Sequence, residues 1–180
     1  MAAYLAKAMA LREILVAPDP RLKMKARPVE RIDASVQRLM DDMLETMYGA
    51  NGIGLAAPQI GSDLRIVVCD VARREEDARP LVLANPEIVW ASEELELREE
   101  GCLSVPEHYA EVERPSEVKV RYLDRDGKEQ EVHATGLLSV CLQHELEHLD
   151  GTLFIDHLSR MKRDIILRKL KKTQRLTEPA

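Results

Sequence analysis

Aromatic side chains are scarce in this 180-residue chain: one Trp, one Phe and four Tyr make up 3% of it. A core without them must be built from aliphatic residues and methionine, and stacking on unpaired bases is excluded as a main mode of recognition. Long apolar runs are lacking too. None approaches the roughly 20 residues needed to span a bilayer, so no membrane association is expected. The only cysteines are Cys69, Cys102 and Cys141; they cannot all pair, which excludes a disulfide scaffold. The opening MAAYLAKAMALR has no continuous apolar region of the secretory kind. A reduced, cytoplasmic protein is therefore expected, with a short organellar presequence as the alternative because the first acidic residue is Glu13. Excess positive charge is absent as well: the net charge of −6 argues against nucleic-acid binding by the surface as a whole.

What is there is ordinary globular material, 45% apolar and 32% charged. The length fits one domain, 1–180, with a proper core. Asp33 is placed to cap a helix running to about Tyr48, in which Val36, Leu39, Met40, Met43, Leu44 and Met47 recur at helical spacing before Gly49. The glycine-bearing loop NGIGLAAPQIG follows, then RIVVCDV as a buried strand and RREEDAR as a solvated loop. LVLANPEIVWA and ELELR read as strands, the first broken at Pro86. EVKVRYL and KEQEVHA flank Asp124-Arg125-Asp126-Gly127, a hairpin turn. Leu137 to Leu149 is apolar on most sides, hence a buried helix closed by Gly151. A last helix runs from Leu158 to about Arg175. Strands gathered before a buried helix give an α+β fold, with antiparallel strands around that helix.

The buried helix carries the chemistry. Gln143 to Gly151 reads QHELEHLDG and contains H-E-x-x-H. On a helix, His144 and His148 share one face and can grip one metal ion, with Glu145 beside it as a base. A third ligand is needed. Cys141 shares that face but lies about 7.5 Å along the axis from the histidine midpoint. A thiolate bonding at about 2.3 Å cannot span that distance. Cys69 sits in an apolar strand, where cysteine acts as a small hydrophobe. Cys102 is left as the best candidate, set among the loop signals of Glu-Glu-Gly-Cys-Leu-Ser-Val-Pro, where Gly101 allows close backbone approach. The extended motif H-E-x-x-H-x-x-G-x-x-H fails here, because Phe154 stands where its third histidine would be.

Three separated motifs, Gly52-Ile53-Gly54-Leu55-Ala56-Ala57-Pro58-Gln59, Glu100-Gly101-Cys102-Leu103-Ser104 and Gln143-His144-Glu145-Leu146-Glu147-His148, together resemble the peptide deformylases, over essentially the whole chain. The resemblance implies that Cys102, His144 and His148 hold one divalent metal ion, Fe²⁺ for full activity with Zn²⁺ as a common replacement. It implies Glu145 as general base, later returning its proton to the departing amine. The Gln59 side-chain amide and the Leu103 backbone N–H would be the oxyanion donors. The implied substrate is a nascent peptide beginning with N-formylmethionine, and formate the product. Ile53, Leu137, Val140 and Cys141 match the methionine pocket; Gly54 and Gly101 count with them as substrate-binding positions. The family usually has aspartate where this chain has Glu147, which is expected to orient the centre without binding the ion.

Two other functions are weighed against this one. A metalloprotease would share the metal and base but leave the Cys102 segment unexplained. A non-enzymatic ribosome-binding relative would have no need of Gln59 or Glu145. Finally, residues 160–175 hold eight Lys or Arg against Asp164 alone, so this segment carries +7 and the rest of the chain −13. Such segregation points to a polyanionic partner, and ribosomal RNA is the expected one. A monomer is expected.

Overall fold

The computed structural model describes residues 11–72 and 77–179. The reading of the first ten residues and most of that of the RREEDAR tract lie outside the described residues. Among the described residues, seven strands and three α-helices follow in order: α1 (Ala34–Gly49), β1 (Gly54–Ala56), β2 (Ile66–Cys69), β3 (Leu81–Ala91), β4 (Leu95–Cys102), β5 (Val105–Pro115), β6 (Glu117–Leu123), β7 (Glu129–Thr135), α2 (Gly136–Leu149) and α3 (Arg160–Thr177). The architecture is α+β. Strands β1-β2-β3-β6-β7 form one antiparallel sheet in that order, and β4 and β5 form a two-stranded one.

The first helix begins where expected, because the Asp33 carboxylate accepts the N–H groups of Ser35 and Val36. Its buried stripe is Val36, Met40, Met43 and Met47, and the three methionines are wholly buried. Methionine thus fills the volume that aromatics fill elsewhere. Strand β2 explains the continuous IVVC run. Ile66 and Val68 pack with the α1 methionines, while Val67 and Cys69 pack with Leu142, Leu146 and Leu149 of α2. A strand covered by a helix on each face has no polar side to show.

The second helix is the axis of the molecule, with most of its residues buried, polar ones included. Gly151, φ +77°, ends it against the Lys23 carbonyl; a β-carbon there would stand 2.4 Å from that oxygen, so only glycine fits. A third cluster, with Val105, Val112, Phe154, Ile155 and Leu170, joins β5 and the segment after α2 to α3.

Three local expectations are corrected. Strand β3 is not broken at Pro86; it runs through with a register shift between Ala84 and Glu87. Asn85 takes φ +50°, and its side chain bonds both the N–H and the carbonyl of Val29, so the bulge carries the proline without a lost ladder bond. The Cys102 segment is not an irregular loop. Cys102 ends β4, Val105 starts β5, and only Leu103 and Ser104 lie between. Strand β5 itself went unread, since its mixed sequence VPEHYAEVERP hides a two-residue period.

Candidate metal centre

The site forms where the β4–β5 turn meets α2. One helical turn apart on α2, His144 and His148 are 7% and 1% exposed. The turn brings Cys102 to them, and the ligand atoms of Cys102, His144 and His148 lie within 4.8 Å of one another. Cys102 Sγ is 3.3 Å from His148 Nε2. His144 Nδ1 is hydrogen-bonded to Glu100 Oε1 at 2.9 Å, which leaves Nε2 as its free donor atom. One thiolate and two imidazoles are a donor set for a borderline-soft divalent ion. One buried polar atom at the site, Glu145 Oε2, has no hydrogen-bond partner among the described residues. Buried polar atoms are normally partnered, so this cluster fits a group that is not protein. Phe154, which replaces a third histidine, stacks on the His144 ring at 5.9 Å and 27°. The only phenylalanine is thus a wall behind a ligand.

Glu145 is 4% exposed, and its side chain crosses over Gly54 of β1. A β-carbon at Gly54 would stand 2.6 Å from Glu145 Oε1 and 2.8 Å from Cys141 Sγ. Glycine is therefore required by the carboxylate and the thiol that lie there. Burial pushes the Glu145 carboxyl up to about 7. Burial also holds His148 well below its ordinary range, so the ring is neutral and able to ligate.

Gln59 is held in a fixed orientation. Its Oε1 accepts the Ala56 N–H at 2.8 Å, so the NH₂ end must face Ser104 Oγ, 3.1 Å away, and Cys102 Sγ, 3.6 Å away. Beside these groups opens a cavity of about 420 Å³. Ile53, Gly54, Gly101, Leu103, His144 and Glu145 are among its lining residues. Gly101 lies under the Tyr109 ring, where a β-carbon would come within 2.6 Å of a ring carbon. Leu137, Val140 and Cys141 are not in the lining. Leu137 is 40% exposed, Val140 is buried, and Cys141 packs in the core, with its thiol 3.5 Å from the Ile53 carbonyl.

Glu147 reaches neither histidine by hydrogen bond. It accepts from Arg114 and lies 2.8 Å from His157 Nε2. Arg114 and Glu100 were missed as functional residues by sequence reasoning. Glu100 stands in a motif singled out for its neighbours, and a signal for it existed. Arg114 gave none, because a buried arginine looks like an exposed one until its strand is known. Burial works against the charge on Glu100, but its bonds to His144 and Arg114 outweigh that and hold the carboxyl below the usual range.

Comparison with known proteins adds the following. Residues 11–164 match the model of the family described as polypeptide deformylase. The peptide deformylase of Methylocella silvestris is 60% identical over 171 residues, covering 93% of this chain and 87% of that protein. The crystal structure of a peptide deformylase from Legionella pneumophila superposes with a TM-score of 0.87 at 49% identity, over 94% of this chain and 100% of that one. The Ehrlichia chaffeensis enzyme in complex with actinonin gives a TM-score of 0.89 at 43% identity, over 93% and 99%.

Proposed function

We propose that this chain, which belongs to the polypeptide deformylase family, is a metal-dependent hydrolase that removes the formyl group from peptides beginning with N-formylmethionine and releases formate. The observation that carries this reading is the convergence of Cys102, His144 and His148 within 4.8 Å, beside Glu145 and a cavity. Those three residues would hold a divalent ion, which would supply Lewis acidity and make water more acidic near neutral pH.

The chain's own residues do the rest. Glu145 takes the proton released at attack and returns it to the leaving amine, without which the C–N bond could not break at neutral pH. The Leu103 N–H and the Gln59 amide stabilise the oxyanion growing from the formyl oxygen; Gln59 suits this because its own oxygen is already committed to Ala56. Gly54 and Gly101 keep the cleft open to an extended backbone, and Ile53 meets the methionine side chain. Of the other positions matched to that pocket, Cys141 backs Ile53, its thiol 3.5 Å from the Ile53 carbonyl. Fe²⁺ is the proposed native ion and Zn²⁺ a replacement, since the donor set accepts both. No helix among the described residues is long and apolar enough to cross a membrane. The proposed setting is a single-domain monomer in the cytoplasm, meeting nascent chains at the ribosome through the basic face of α3.

Formate release from a formyl-Met tripeptide by anaerobically purified protein, with metal counted on the same sample, tests the reading. Release that fails in Glu145→Ala with metal retained supports it. A fully loaded protein that releases no formate refutes it, and casein cleavage would turn the reading toward a protease.

A further inference from the structure

We infer that Arg114 is a positioning residue for the metal centre: through Glu100 it fixes the His144 ring, and through Glu147 it locks the strand pair bearing Cys102 to the helix bearing both histidines. The inference rests on the metal-centre reading above and extends it to a residue that touches neither metal ligand nor substrate.

The geometry is that of one guanidinium serving two carboxylates. Arg114 is 4% exposed. Toward Glu100 its Nε donates to Oε2 at 2.5 Å and its Nη2 to Oε1 at 2.9 Å. Toward Glu147 its Nη1 donates to Oε1 at 2.9 Å and its Nη2 to Oε2 at 3.2 Å. Both contacts are forks, a pattern that fixes direction as well as distance. Glu100 Oε1 is the same oxygen that bonds His144 Nδ1, so the orientation of the imidazole follows that of the arginine. The placement along the chain matters equally. Glu100 stands two residues before Cys102 on β4, and Glu147 stands one residue before His148 on α2. The arginine thus sets the spacing between the thiolate and the two imidazoles, a quantity no single element controls. The outer end is held as well: His157 contacts Glu147, and it belongs to the short 3₁₀ turn Phe154–His157 whose phenylalanine stacks on His144.

Lysine cannot substitute for this arginine. An ammonium is a point donor that can serve one carboxylate well but cannot form two forks at once. Arg114→Lys keeps one buried charge and releases one carboxylate, so the fold is retained with a looser centre.

The test measures binding rather than turnover. Metal-free wild type and Arg114→Lys are titrated with Zn²⁺ against a chromophoric chelator, and with Co²⁺ for its visible and thiolate charge-transfer bands. Arg114→Lys is expected to bind Zn²⁺ roughly 10–100-fold more weakly, with altered cobalt bands. It is also expected to lose kcat with KM nearly unchanged. Arg12→Lys, which weakens the ion pair with Asp42 of α1 and touches none of the metal-centre residues, is the control and should leave metal affinity within about twofold. Native affinity and native cobalt bands in Arg114→Lys would overturn the inference, as would an equal loss of affinity in Arg12→Lys. Should Arg114→Lys not fold, Glu147→Gln is read in the same way, and Glu147→Asp should restore binding. A wild type that binds neither ion overturns the metal-centre reading and this inference with it; a wild type that binds while Arg114→Lys binds equally overturns the inference alone.

Discussion

Two polar clusters lie buried side by side along α2 and are finished differently. In one, Arg114, Glu100 and Glu147 use their charged atoms on one another, at 2.5–3.2 Å. In the other, Glu145 Oε2 has no partner among the described residues, and Glu145 lines the cavity together with Cys102 and His144. Desolvation is costly in both. The first cluster offsets that cost internally and so acts as a frame. The second offsets it only when something else binds, and so acts as a site. Helix α2, packed on the five-stranded sheet, carries the Glu147 end of the frame, and the β4–β5 pair carries the other end and brings the one soft ligand to the site.

The sharpest way to break this comparison is to remove the base. Glu145→Gln should lower kcat/KM by roughly 10²–10⁴-fold, the range expected of a positioned acid–base group. Metal content should stay near native, because Glu145 is not one of the three converging ligands. Equal loss of metal and activity would place Glu145 in the ligand set and erase the distinction drawn here.

Next in size is an effect on stability. In the metal-free protein, burial raises Glu145 to about 7 from an ordinary 4.5. A raised folded-state value means that the folded form holds its proton more tightly than the unfolded form does. The contribution to stability is therefore fully present below about pH 4.5 and is lost as pH rises through 7. Its size is on the order of 3 kcal/mol. Metal-free wild type should lose that much relative to Glu145→Gln between pH 4.5 and 8 in denaturant titrations. Adding Zn²⁺ should shrink the difference, since a nearby cation favours the carboxylate. Parallel curves for the two metal-free proteins would refute the claim that this carboxyl is held at a cost.

A third test alters packing alone. Gly54→Ala places a methyl group 2.6 Å from Glu145 Oε1 and 2.8 Å from Cys141 Sγ. Overpacking of this kind costs about 1–3 kcal/mol. The displaced carboxylate should also lower kcat, because small misplacements of reacting groups are expensive. An unchanged melting curve and rate would mean that β1 and α2 can part without penalty.

How much of this was legible in the sequence depended on whether a signal was local. The cap at Asp33, the methionine stripe of α1 and the glycine after α2 are written within a few residues of one another, and their elements begin and end within two residues of expectation. The H-E-x-x-H spacing sets His144 and His148 on one face and creates the demand that Cys102 meets. Arg114 has no such local mark. Its partners lie 14 and 33 residues away, and its strand alternates too weakly to be read. The methionine-pocket positions were ambiguous for another reason. Val140 and Cys141 are apolar and near the site in sequence, but whether such a residue lines a cavity or fills the core is decided by rotation of α2 against the sheet, which no local pattern fixes.

The smallest expected effect concerns α3, which differs from α2 in nearly every respect. Among its described residues only Leu170 is fully buried, with Ile166 and Leu167 half-buried against the body. Lys171 and Lys172 are exposed and enter no ion pair among the described residues. Reversing both to glutamate should therefore move stability by no more than about 0.5 kcal/mol, as is usual for surface sites. Formate release from a short peptide should not change, because the substitutions lie far along the chain from every group at the cavity. Cosedimentation with ribosomes at low salt should fall, and the residual binding should depend less on salt, since fewer phosphate contacts remain to release counterions. If binding survives the reversal at every salt concentration, the basic face of α3 is an ordinary solvated helix surface. If peptide turnover falls with it, α3 belongs to the frame that holds the centre rather than to an independent surface.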